Sequence, residues 1–401
     1  MNILSLSSNI QGEKMERPRF LELISRYFRT HPVVAILGPR QCGKTTLARM
    51  FCDTQPSLPN ENYFDLENSR DTQRLTNPML TLQPLKGLIV IDEIQRAPDL
   101  FPTIRVLVDE PQTNQQYLIL GSASQELIRQ SSESLAGRIA YLELTPFSFQ
   151  EVDHLERLWL RGGFPKSYLA QTEQDSFDWR EFYIRTFLEQ DIPNLGLNIE
   201  PSSLRRFWTM LAHYHGNIFN ASELGRSFGA SDATMRRYLD VLTGTFMIRQ
   251  LQPWHANIGK RQVKSPKVYF RDSGIFHSLL NVQSISELHT HPKVGASWEG
   301  LALEEVIRAH RTPHYDCYFW STYSGAEVDL LLHNGGKLIG FEFKFTDAPK
   351  LTKSMHTAFQ DLSLEHLYVV YPGDVDYPLT EHISVVGLKN YLGKLLNQMQ
   401  S

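Results

Sequence analysis

The sequence predicts an α/β fold built on a parallel β-sheet that carries a phosphate-binding loop. Short, continuous apolar runs alternate with helix-compatible segments, a pattern typical of parallel strands that are buried on both faces. The runs are residues 33–37, 63–66, 88–91 and 117–120. The first run leads directly into a glycine-rich segment, which a helix-compatible stretch follows. We therefore predict one α/β domain at residues 19–150, preceded by a flexible N-terminus at residues 1–18.

The glycine-rich segment, residues 38–46, has the spacing G-x4-G-K-[ST] of a phosphate-binding loop. In a strand–loop–helix setting, backbone N–H groups and the start of the helix surround phosphate oxygens. Gly38 and Gly43 permit the tight loop, Lys44 reaches the outer phosphates, and the Thr45 hydroxyl is placed to bind magnesium. The predicted nucleotide-binding residues are Gly38, Pro39, Arg40, Gln41, Cys42, Gly43, Lys44, Thr45 and Thr46. We therefore expect the protein to bind a nucleoside triphosphate together with Mg²⁺.

Two acidic residues follow the third apolar run and are candidates for metal binding and hydrolysis. Asp92 is placed to bind the magnesium ion beside a triphosphate, and Glu93 to polarise the attacking water. The alternative is an acidic strand end that leads into a solvent loop. Ser122, or Ser124, follows the next run and is a candidate to orient the water. Arg138 is a candidate to neutralise charge on the cleaved phosphate, or it is a solvated arginine before a strand.

The middle of the chain, residues 151–285, is predicted to be helical and to contain a winged helix-turn-helix. Gly229 suits the turn between the two helices, and Ser231 suits the N-cap of the second helix. The predicted elements are helices at residues 221–228 and 232–242 and wing strands at residues 246–248 and 267–270.

Positive charge is concentrated around this predicted wing. Between residues 236 and 271 there are eight lysines and arginines and one acid, Asp240, although the whole chain has a net charge of −4. The basic residues are Arg236, Arg237, Arg249, Lys260, Arg261, Lys264, Lys267 and Arg271. Such a segment can contact DNA phosphates, and Trp254 and Tyr269 can stack on bases. The alternatives are buried aromatic side chains, a merely solvated basic segment, or a winged helix that binds a protein.

The last part of the chain, residues 286–401, is predicted to be an α/β domain with a nuclease-like set of charged residues. Two segments with alternating side chains flank a turn at residues 333–336 and predict a hairpin. Symmetric pairing places Asp329 opposite Gly340 and diagonal to Glu342. A divalent cation could then bridge the two carboxylates.

The spacing of these residues is the D…E-x-K arrangement of metal-dependent DNA nucleases. Asp329, Glu342 and Lys344 are the candidate catalytic residues, with Lys344 steadying a water or hydroxide. Glu299, on a stretch predicted to be an amphipathic helix, is a candidate third metal ligand beside Asp329 and Glu342. Two alternatives stay open: the charged residues are the wet face of a sheet, or the fold binds a partner without cleaving it.

Composition excludes several classes of protein. The chain of 401 residues is 41% hydrophobic and 21% charged, which is typical of a globular protein with more than one domain. Cys42, Cys52 and Cys317 have no spacing that suggests a zinc site or a disulfide framework. No apolar run approaches the ~20 residues that span a bilayer, and residues 1–12 do not resemble a secretory signal. We therefore expect a cytoplasmic protein with no membrane partner.

Eight short segments, spread over nearly the whole chain, are similar in sequence to segments of a known family. They are residues 38–45, 92–98, 121–124, 137–149, 162–165, 266–274, 327–329 and 342–344. These segments resemble those of prokaryotic AAA+-related ATPases that carry a C-terminal domain of unknown function, DUF4143. The resemblance implies ATP as the nucleotide, a P-loop AAA+-like core, a winged-helix middle domain and a restriction-endonuclease-like C-terminal domain.

Two functions follow from these observations. The first is a Mg²⁺-dependent ATPase that couples its nucleotide state to a DNA-associated C-terminal half with a metal-dependent nuclease site. The second is a nucleotide-dependent regulatory or scaffold protein whose C-terminal half binds a partner without cleaving it. A protein partner or a homo-oligomer is compatible with both.

Overall fold

The computed structural model describes residues 15–54, 59–111, 113–122, 131, 133–194, 197–255 and 263–400. The chain divides into two compact units, of which the first contains residues 1–146 and 244–246 and the second contains residues 147–243 and 247–401. Residues 1–14 of the predicted flexible N-terminus lie outside the described residues. Arg17 and Pro18 differ from that prediction, because Arg17 is buried and Pro18 begins a helix.

The first unit is an α/β domain with one parallel sheet. In chain order its helices and strands are α1 (Pro18–Phe28), β1 (Val33–Leu37), α2 (Lys44–Asp53), β2 (Tyr63–Asp65), α3 (Ser69–Arg74), α4 (Pro78–Leu82), β3 (Leu88–Asp92), α5 (Leu100–Asp109), β4 (Gln116–Gly121) and β5 (Ile139–Glu143). All neighbouring strands are parallel, in the order β2-β3-β4-β1-β5. The predicted parallel sheet is therefore confirmed.

Burial explains why these strands read as continuous apolar runs. Every residue of β1 and β3 is buried, so no polar face exists to produce an alternating pattern. Helix α5 covers the sheet with four buried side chains, which are Leu100, Phe101, Ile104 and Leu107. Because the strands are parallel, the carboxyl ends of β1, β4 and β3 lie side by side at one edge, with β4 in the middle. Ligands of open α/β sheets bind at this edge.

The second unit combines many helices with a mixed sheet. In chain order its elements are α6 (Phe149–Val152), α7 (Leu155–Arg161), α8 (Pro165–Tyr168), α9 (Glu173–Thr186), α10 (Ile192–Asn194), α11 (Pro201–His213), β6 (Asn217–Ile218), α12 (Ala221–Phe228), α13 (Asp232–Gly244), β7 (Ile248–Pro253), β8 (Lys267–Phe270), α14 (Ser273–Leu279), α15 (Ile285–Thr290), α16 (Val294–His310), β9 (Cys317–Ser321), β10 (Glu327–Asn334), β11 (Lys337–Phe343), α17 (Lys353–Leu362), β12 (His366–Tyr371), β13 (Tyr377–Pro378), β14 (Ile383–Gly387) and α18 (Leu388–Gln400).

The sheet of the second unit runs through both domains that we predicted there. Its strand order is β13-β14-β12-β11-β10-β9-β7-β8-β6. The parallel pair β7–β9, in which Gln252 lies opposite Tyr318, joins strands from the two predicted domains. Residues 151–285 and 286–401 therefore share one sheet within one compact unit.

The predicted helix-turn-helix is present as α12 and α13. Gly229 ends α12 with a φ of 81°, a left-handed conformation that glycine adopts without strain. The Ser231 hydroxyl accepts a hydrogen bond from the N–H of Thr234 at 3.2 Å and so caps the start of α13. Strand β6 precedes the two helices, β7 and β8 follow them, and β8 pairs antiparallel with both other strands.

The register of the β10–β11 hairpin differs from the predicted register. Leu331 lies opposite Gly340, where we predicted Asp329, so the observed pairs are shifted by two residues along β10. The turn consists of the two glycines at positions 335–336 alone, with φ values of 57° and 82°, and not of four residues. A two-residue loop with both φ values positive is the turn that best matches the twist of a hairpin.

Within the described parts of the chain, no helix is both long enough and apolar enough to cross a lipid bilayer.

Candidate functional site

The phosphate loop, residues 38–46, leaves the carboxyl end of β1 and approaches its neighbours closely. The N–H of Gly38 donates to the carbonyl oxygen of Gly121 at 3.3 Å. A β-carbon on Gly38 would lie 2.1 Å from the carbonyl oxygen of Leu144, so only glycine fits there. Gly43 has a φ of 102° and is the N-cap of α2. The geometry of the loop therefore requires both glycines.

Two buried side chains fasten this loop to the rest of the first unit. Arg17 donates to the carbonyl oxygens of Cys42, at 3.4 Å, and Thr145, at 3.1 Å. The Cys42 thiol donates to the carbonyl oxygen of Leu144 at 3.4 Å, and burial raises the pKa of the thiol. Cys42 is thus a packed part of the loop and not a thiolate nucleophile. We did not predict a role for Arg17, because nothing local connects it to a loop 25 residues away.

Lys44 is held inside the loop. Its side chain is almost completely buried, with 5% of the residue exposed. The ammonium donates to the carbonyl oxygens of Gly38 and Pro39, both at 2.9 Å. A buried ammonium requires acceptors of this kind, and phosphate oxygens are stronger acceptors because they are charged.

The remaining loop residues are more exposed. Gln41, whose φ is 60°, and Thr46 are exposed. Arg40 forms an ion pair with Glu67 at 2.8 Å, and Arg96 contacts the same Glu67 oxygen at 3.1 Å. Arg40 is therefore engaged with a neighbouring carboxylate at the side of the loop.

Thr45 and Asp92 come together at the edge of the sheet. The Thr45 hydroxyl donates to Asp92 Oδ2 at 2.7 Å, and the Tyr63 hydroxyl donates to the same oxygen at 3.1 Å. Burial raises the pKa of Asp92, although both hydrogen bonds stabilise the carboxylate. We did not predict Tyr63, which ends up beside Asp92 because β2 and β3 are paired in the sheet. A hydroxyl and a carboxylate in contact are the oxygen ligands that Mg²⁺ prefers.

Glu93 lies beside Ser122, and Gln95 links the two. The Gln95 amide donates to the Glu93 carboxylate and, at 2.8 Å, to the Ser122 hydroxyl. The Ser122 hydroxyl also donates to Glu93 Oε2 at 3.4 Å. Burial raises the pKa of Glu93, which brings the carboxyl group closer to the range of a general base. Gln95 is a positioning residue that we did not predict, and Ser124 lies outside the described residues.

Arg138 does not lie at the nucleotide-binding edge of its own sheet, and its role in neutralising the cleaved phosphate stays a prediction. Its carbonyl oxygen accepts from the N–H of Val33, which begins β1, whereas the phosphate loop follows the other end of β1. Five strand residues, or roughly 16 Å, separate the two edges. The guanidinium forms two hydrogen bonds with the Asp109 carboxylate, at 2.6 and 2.8 Å.

The residues at the edge of the first sheet fit a nucleoside triphosphate with Mg²⁺. Gly43 leaves open space beside the backbone of the loop, Gly38 lets the loop pack against Leu144, and Lys44 is the buried cation inside the loop. Thr45 and Asp92 would hold the magnesium ion. The Glu93 carboxylate, next to Asp92, would act as the general base.

The second predicted site is a buried cluster of charges around Lys267. Its ammonium contacts Asp329 Oδ1 at 3.2 Å, Glu299 Oε1 at 3.8 Å and Glu327 Oε1. Lys267 begins β8, Asp329 and Glu327 lie on β10, and Glu299 lies on α16. Lys267 was predicted only as part of a basic surface. The alternative of a wet sheet face does not hold for Asp329 and Glu342, because both are buried.

Glu342 and Lys344 form the other side of this cluster. Lys344 Nζ lies 2.7 Å from Glu342 Oε2 and 4.0 Å from Asp329 Oδ2. Burial and the neighbouring Asp329 carboxylate raise the pKa of Glu342. Burial and the same carboxylate raise the pKa of Glu299, whose Oε1 accepts from the Tyr269 hydroxyl at 2.6 Å.

The predicted acids are therefore close together, and a lysine that we did not predict for this site lies among them. In the parts of the chain that the structure describes, no three His, Cys, Asp or Glu side chains are arranged to hold a metal ion. The Lys267 ammonium instead lies between Asp329 and Glu299. The prediction of Glu299, Asp329 and Glu342 as metal ligands stays a prediction, and in the structure these three carboxylates take part in ion pairs.

The predicted basic surface is smaller than the sequence suggests. Arg249 and Arg271 bind the buried Glu304, and Lys267 is buried among acids. Tyr269 is 0% exposed, which agrees with the alternative of a buried aromatic side chain and leaves no face of its ring for a base. Trp254 packs on Tyr318 and His333, with ring centroids 4.9 and 5.7 Å apart. Lys260 and Arg261 lie outside the described residues, and the remaining exposed cations are Arg236, Arg237 and Lys264.

Three family models match consecutive parts of the chain. They are an AAA domain at residues 30–153, a domain of unknown function (DUF8612) at residues 152–286 and a domain of unknown function (DUF4143) at residues 294–391. An uncharacterized protein of Mycobacterium tuberculosis is 48% identical over 374 residues, which cover 93% of this chain and 83% of that protein. An uncharacterized protein of Mycobacterium bovis matches to the same extent.

Solved structures also resemble the chain. A Walker-type ATPase of Pyrococcus abyssi is 14% identical, with a TM-score of 0.48, over 67% of this chain and 96% of its own. The RuvB Holliday junction branch migration motor of Thermotoga maritima is 17% identical, with a TM-score of 0.28, over 58% and 88% of the two chains. Both TM-scores are below 0.5, so the class of this protein follows from the family models and from the parallel sheet of the first unit.

The parallel sheet, the phosphate loop and the AAA match define a nucleotide-binding P-loop ATPase. The chain belongs to the family of prokaryotic AAA ATPases that carry a C-terminal DUF4143 domain.

Proposed function

We propose that the protein hydrolyses ATP with Mg²⁺ and that its nucleotide state is coupled to a second unit that contacts DNA. The observation that carries this proposal is the meeting of Thr45, Asp92 and Glu93 beside the phosphate loop. The side chains required for metal binding and for activation of water are thus adjacent at the sheet edge where α/β proteins bind ligands.

Each side chain at this edge has a distinct chemical role in the proposed reaction. The loop backbone and the Lys44 ammonium bind the phosphates and offset their negative charge. Thr45 and Asp92 would hold Mg²⁺, which supplies further neutralisation of the triphosphate when it is bound. Glu93 accepts a proton from the attacking water, and Gln95 and Ser122 orient its carboxylate.

The helix-turn-helix supports the proposed contact with DNA. The order of α12, α13, β7 and β8 is that expected for a winged helix, and α13 presents Arg236 and Arg237 to solvent. Neither arginine forms an ion pair with another residue in the described ranges, so both charges are available to phosphates. In contrast, Arg249 and Arg271 already have Glu304 as a partner.

A second function is favoured by the position of Lys267. In this alternative the protein is a nucleotide-dependent regulator whose C-terminal half binds a partner without cleaving it. The observation that supports it is the position of the Lys267 ammonium. It lies between Glu299 and Asp329, the carboxylates that would bind the metal ion of a nuclease. A protein that hydrolyses ATP but has no salt-dependent affinity for DNA would match this second function.

The ATPase assignment is tested by Lys44→Ala. Removing the ammonium should lower the rate of ATP hydrolysis by about 100-fold, because a preorganised charge on the phosphates is lost. Phosphate release by wild type and variant measures this effect. Lys86→Ala is the matched control, since Lys86 is an exposed lysine of the same unit. Hydrolysis by Lys44→Ala at the wild-type rate would refute the assignment.

A further inference from the structure

Lys267 is buried to an unusual degree for a lysine. Only 3% of the residue is exposed, although Lys267 begins β8, the second predicted wing strand. Lysine is almost never fully buried unless it is paired. Here the ammonium contacts carboxylates from two other elements, β10 and α16.

The acids around Lys267 would be unstable as a group without a cation. Glu327, Asp329 and Glu299 all approach the same ammonium, to within 3.8 Å at most. Glu342 lies on β11 and is paired with Lys344, which also approaches Asp329 to 4.0 Å. An uncompensated buried charge costs several kcal/mol, so removing the central cation leaves these carboxylates to repel one another.

Two of the carboxylates around Lys267 also accept hydrogen bonds from other donors. Asp329 Oδ2 accepts from the N–H of Phe343 at 3.1 Å, which leaves Oδ1 for Lys267. The Glu299 oxygen nearest Lys267 also accepts from the Tyr269 hydroxyl. These hydrogen-bond donors help to hold the carboxylates around one position, and the Lys267 ammonium occupies that position.

We propose that Lys267 is a built-in cation that takes the position of a divalent metal ion in the acidic cluster of the second unit. A divalent ion among these carboxylates would lie against a positive charge that is covalently fixed. The two cations therefore exclude each other, and the second unit needs no metal to be complete. This inference concerns the second unit and does not depend on ATP hydrolysis.

The experiment measures Mn²⁺ binding to the full chain without nucleotide, by the loss of the free-ion signal in electron paramagnetic resonance. Asp329→Asn identifies binding at the cluster, because only ions held there are lost when that carboxylate is removed. We expect wild type to bind no Mn²⁺ that Asp329→Asn removes. Lys267→Met should bind Mn²⁺ at least about tenfold more tightly than wild type, and a further Asp329→Asn should abolish this gain.

Lys264→Met is the matched control, because Lys264 lies three positions earlier on the chain and is exposed. It should bind Mn²⁺ as wild type does. If thermal melting shows that Lys267→Met does not fold, Lys267→Gln removes the charge but keeps a polar group of similar length. Wild-type binding that Asp329→Asn removes would overturn the proposal, and this comparison needs no change at Lys267. A folded Lys267 variant without the new Mn²⁺ site would overturn it as well.

Discussion

Gln95 is the residue that connects the two polar groups closest to the proposed water. Its amide donates to Glu93 and to Ser122, so one side chain fixes the position of the base relative to the end of β4. A hydrogen bond to a charged group contributes about 1.5–3 kcal/mol. The same bond lowers the pKa of Glu93 and partly offsets the effect of burial.

We predict that Gln95→Ala lowers kcat for ATP hydrolysis by about tenfold or more, with KM for ATP nearly unchanged. The pKa of Glu93 should rise further without its donor. Because the ionised carboxylate is the active base, the acid limb of the pH profile of kcat should move to higher pH. Steady-state kinetics over a range of pH measures both effects.

Gln83→Ala is the matched control for this change, because Gln83 also donates to a glutamate, Glu110, but is exposed. It should leave both kcat and the pH profile unaltered. A Gln95→Ala protein with a lower kcat but an unmoved acid limb would show that Gln95 does not act through Glu93.

Individual residues also show where sequence reasoning stops. The motif identifies Lys44, Thr45 and Asp92 because their roles depend on neighbours in the chain or at the end of a strand. Lys267 was counted as a surface charge, since its partner Asp329 is 62 positions away. A contact of that kind depends on which strands pair, and the composition of a segment carries no such information.

Helix α13 is the element on which the proposed DNA contact depends. Its buried stripe of Met235, Leu239 and Leu242 packs inward, as its spacing predicted. This orientation leaves Arg236 and Arg237 on the outer side of the helix, where both are exposed. Each phosphate contact contributes about one unit to the salt dependence of binding.

We predict that the double change Arg236→Ala and Arg237→Ala weakens DNA binding and lowers the slope of log K against log[salt] by about two. Fluorescence anisotropy with a short labelled duplex at several salt concentrations measures both quantities. The control is the double change Lys166→Ala and Lys389→Ala, which removes two exposed charges elsewhere in the same unit. Equal slopes for the two double variants would contradict a contact through α13.

The β10–β11 hairpin shows what an alternating pattern does and does not determine. The pattern identified both strands, and the paired glycines identified the turn. The register was wrong because a four-residue turn had been assumed, whereas residues 335–336 close the turn alone. The observed pairs are therefore shifted by two residues, and Leu331 takes the place opposite Gly340 that was predicted for Asp329.

Two histidines of the second unit, His277 and His215, are buried and uncharged. His277 Nδ1 lies 3.1 Å from the carbonyl oxygen of Leu160, and Nε2 lies 2.7 Å from the Ser297 hydroxyl. Burial lowers the pKa of His277 to about 3 and that of His215 to about 3. An unfolded histidine titrates near ~6.5, so the unfolded chain binds more protons below that pH. The stabilisation from each histidine is therefore present above pH ~6.5 and is lost as the pH falls toward 3.

We predict that the difference in unfolding free energy between wild type and His277→Gln shrinks by about 2 kcal/mol between pH 7.5 and pH 5. Wild type loses the contribution of His277 over this range, and the variant has none to lose. Urea unfolding followed by tryptophan fluorescence measures the difference. All six tryptophans are in the second unit, so the signal does not include the first unit.

His356→Gln is the control for the pH effect, because His356 is exposed on α17. Its difference from wild type should stay constant over the same range. A constant difference for His277→Gln would instead mean that His277 is not held neutral by burial.

At the scale of the molecule, the sequence predicted the first unit better than the second. Runs such as residues 33–37 and 88–91 are apolar throughout because parallel strands are covered on both sides, and the phosphate loop fixed the position of the site. In the second unit, individual helices and strands were predicted, but the pairing of strands from different parts of the chain was not. The β7–β9 pair, for example, joins residues 252 and 318. No local pattern specifies a pairing over that distance.

The β7–β9 pair has an evolutionary consequence. The two domains of unknown function, at residues 152–286 and 294–391, meet inside one hydrogen-bonded ladder. A gene rearrangement that separated them would leave an unpaired strand edge on each half, and unpaired edges promote aggregation. We therefore expect these two modules to be inherited as a pair, and the border between them to mark a change in sequence pattern but not a place where the protein can be divided.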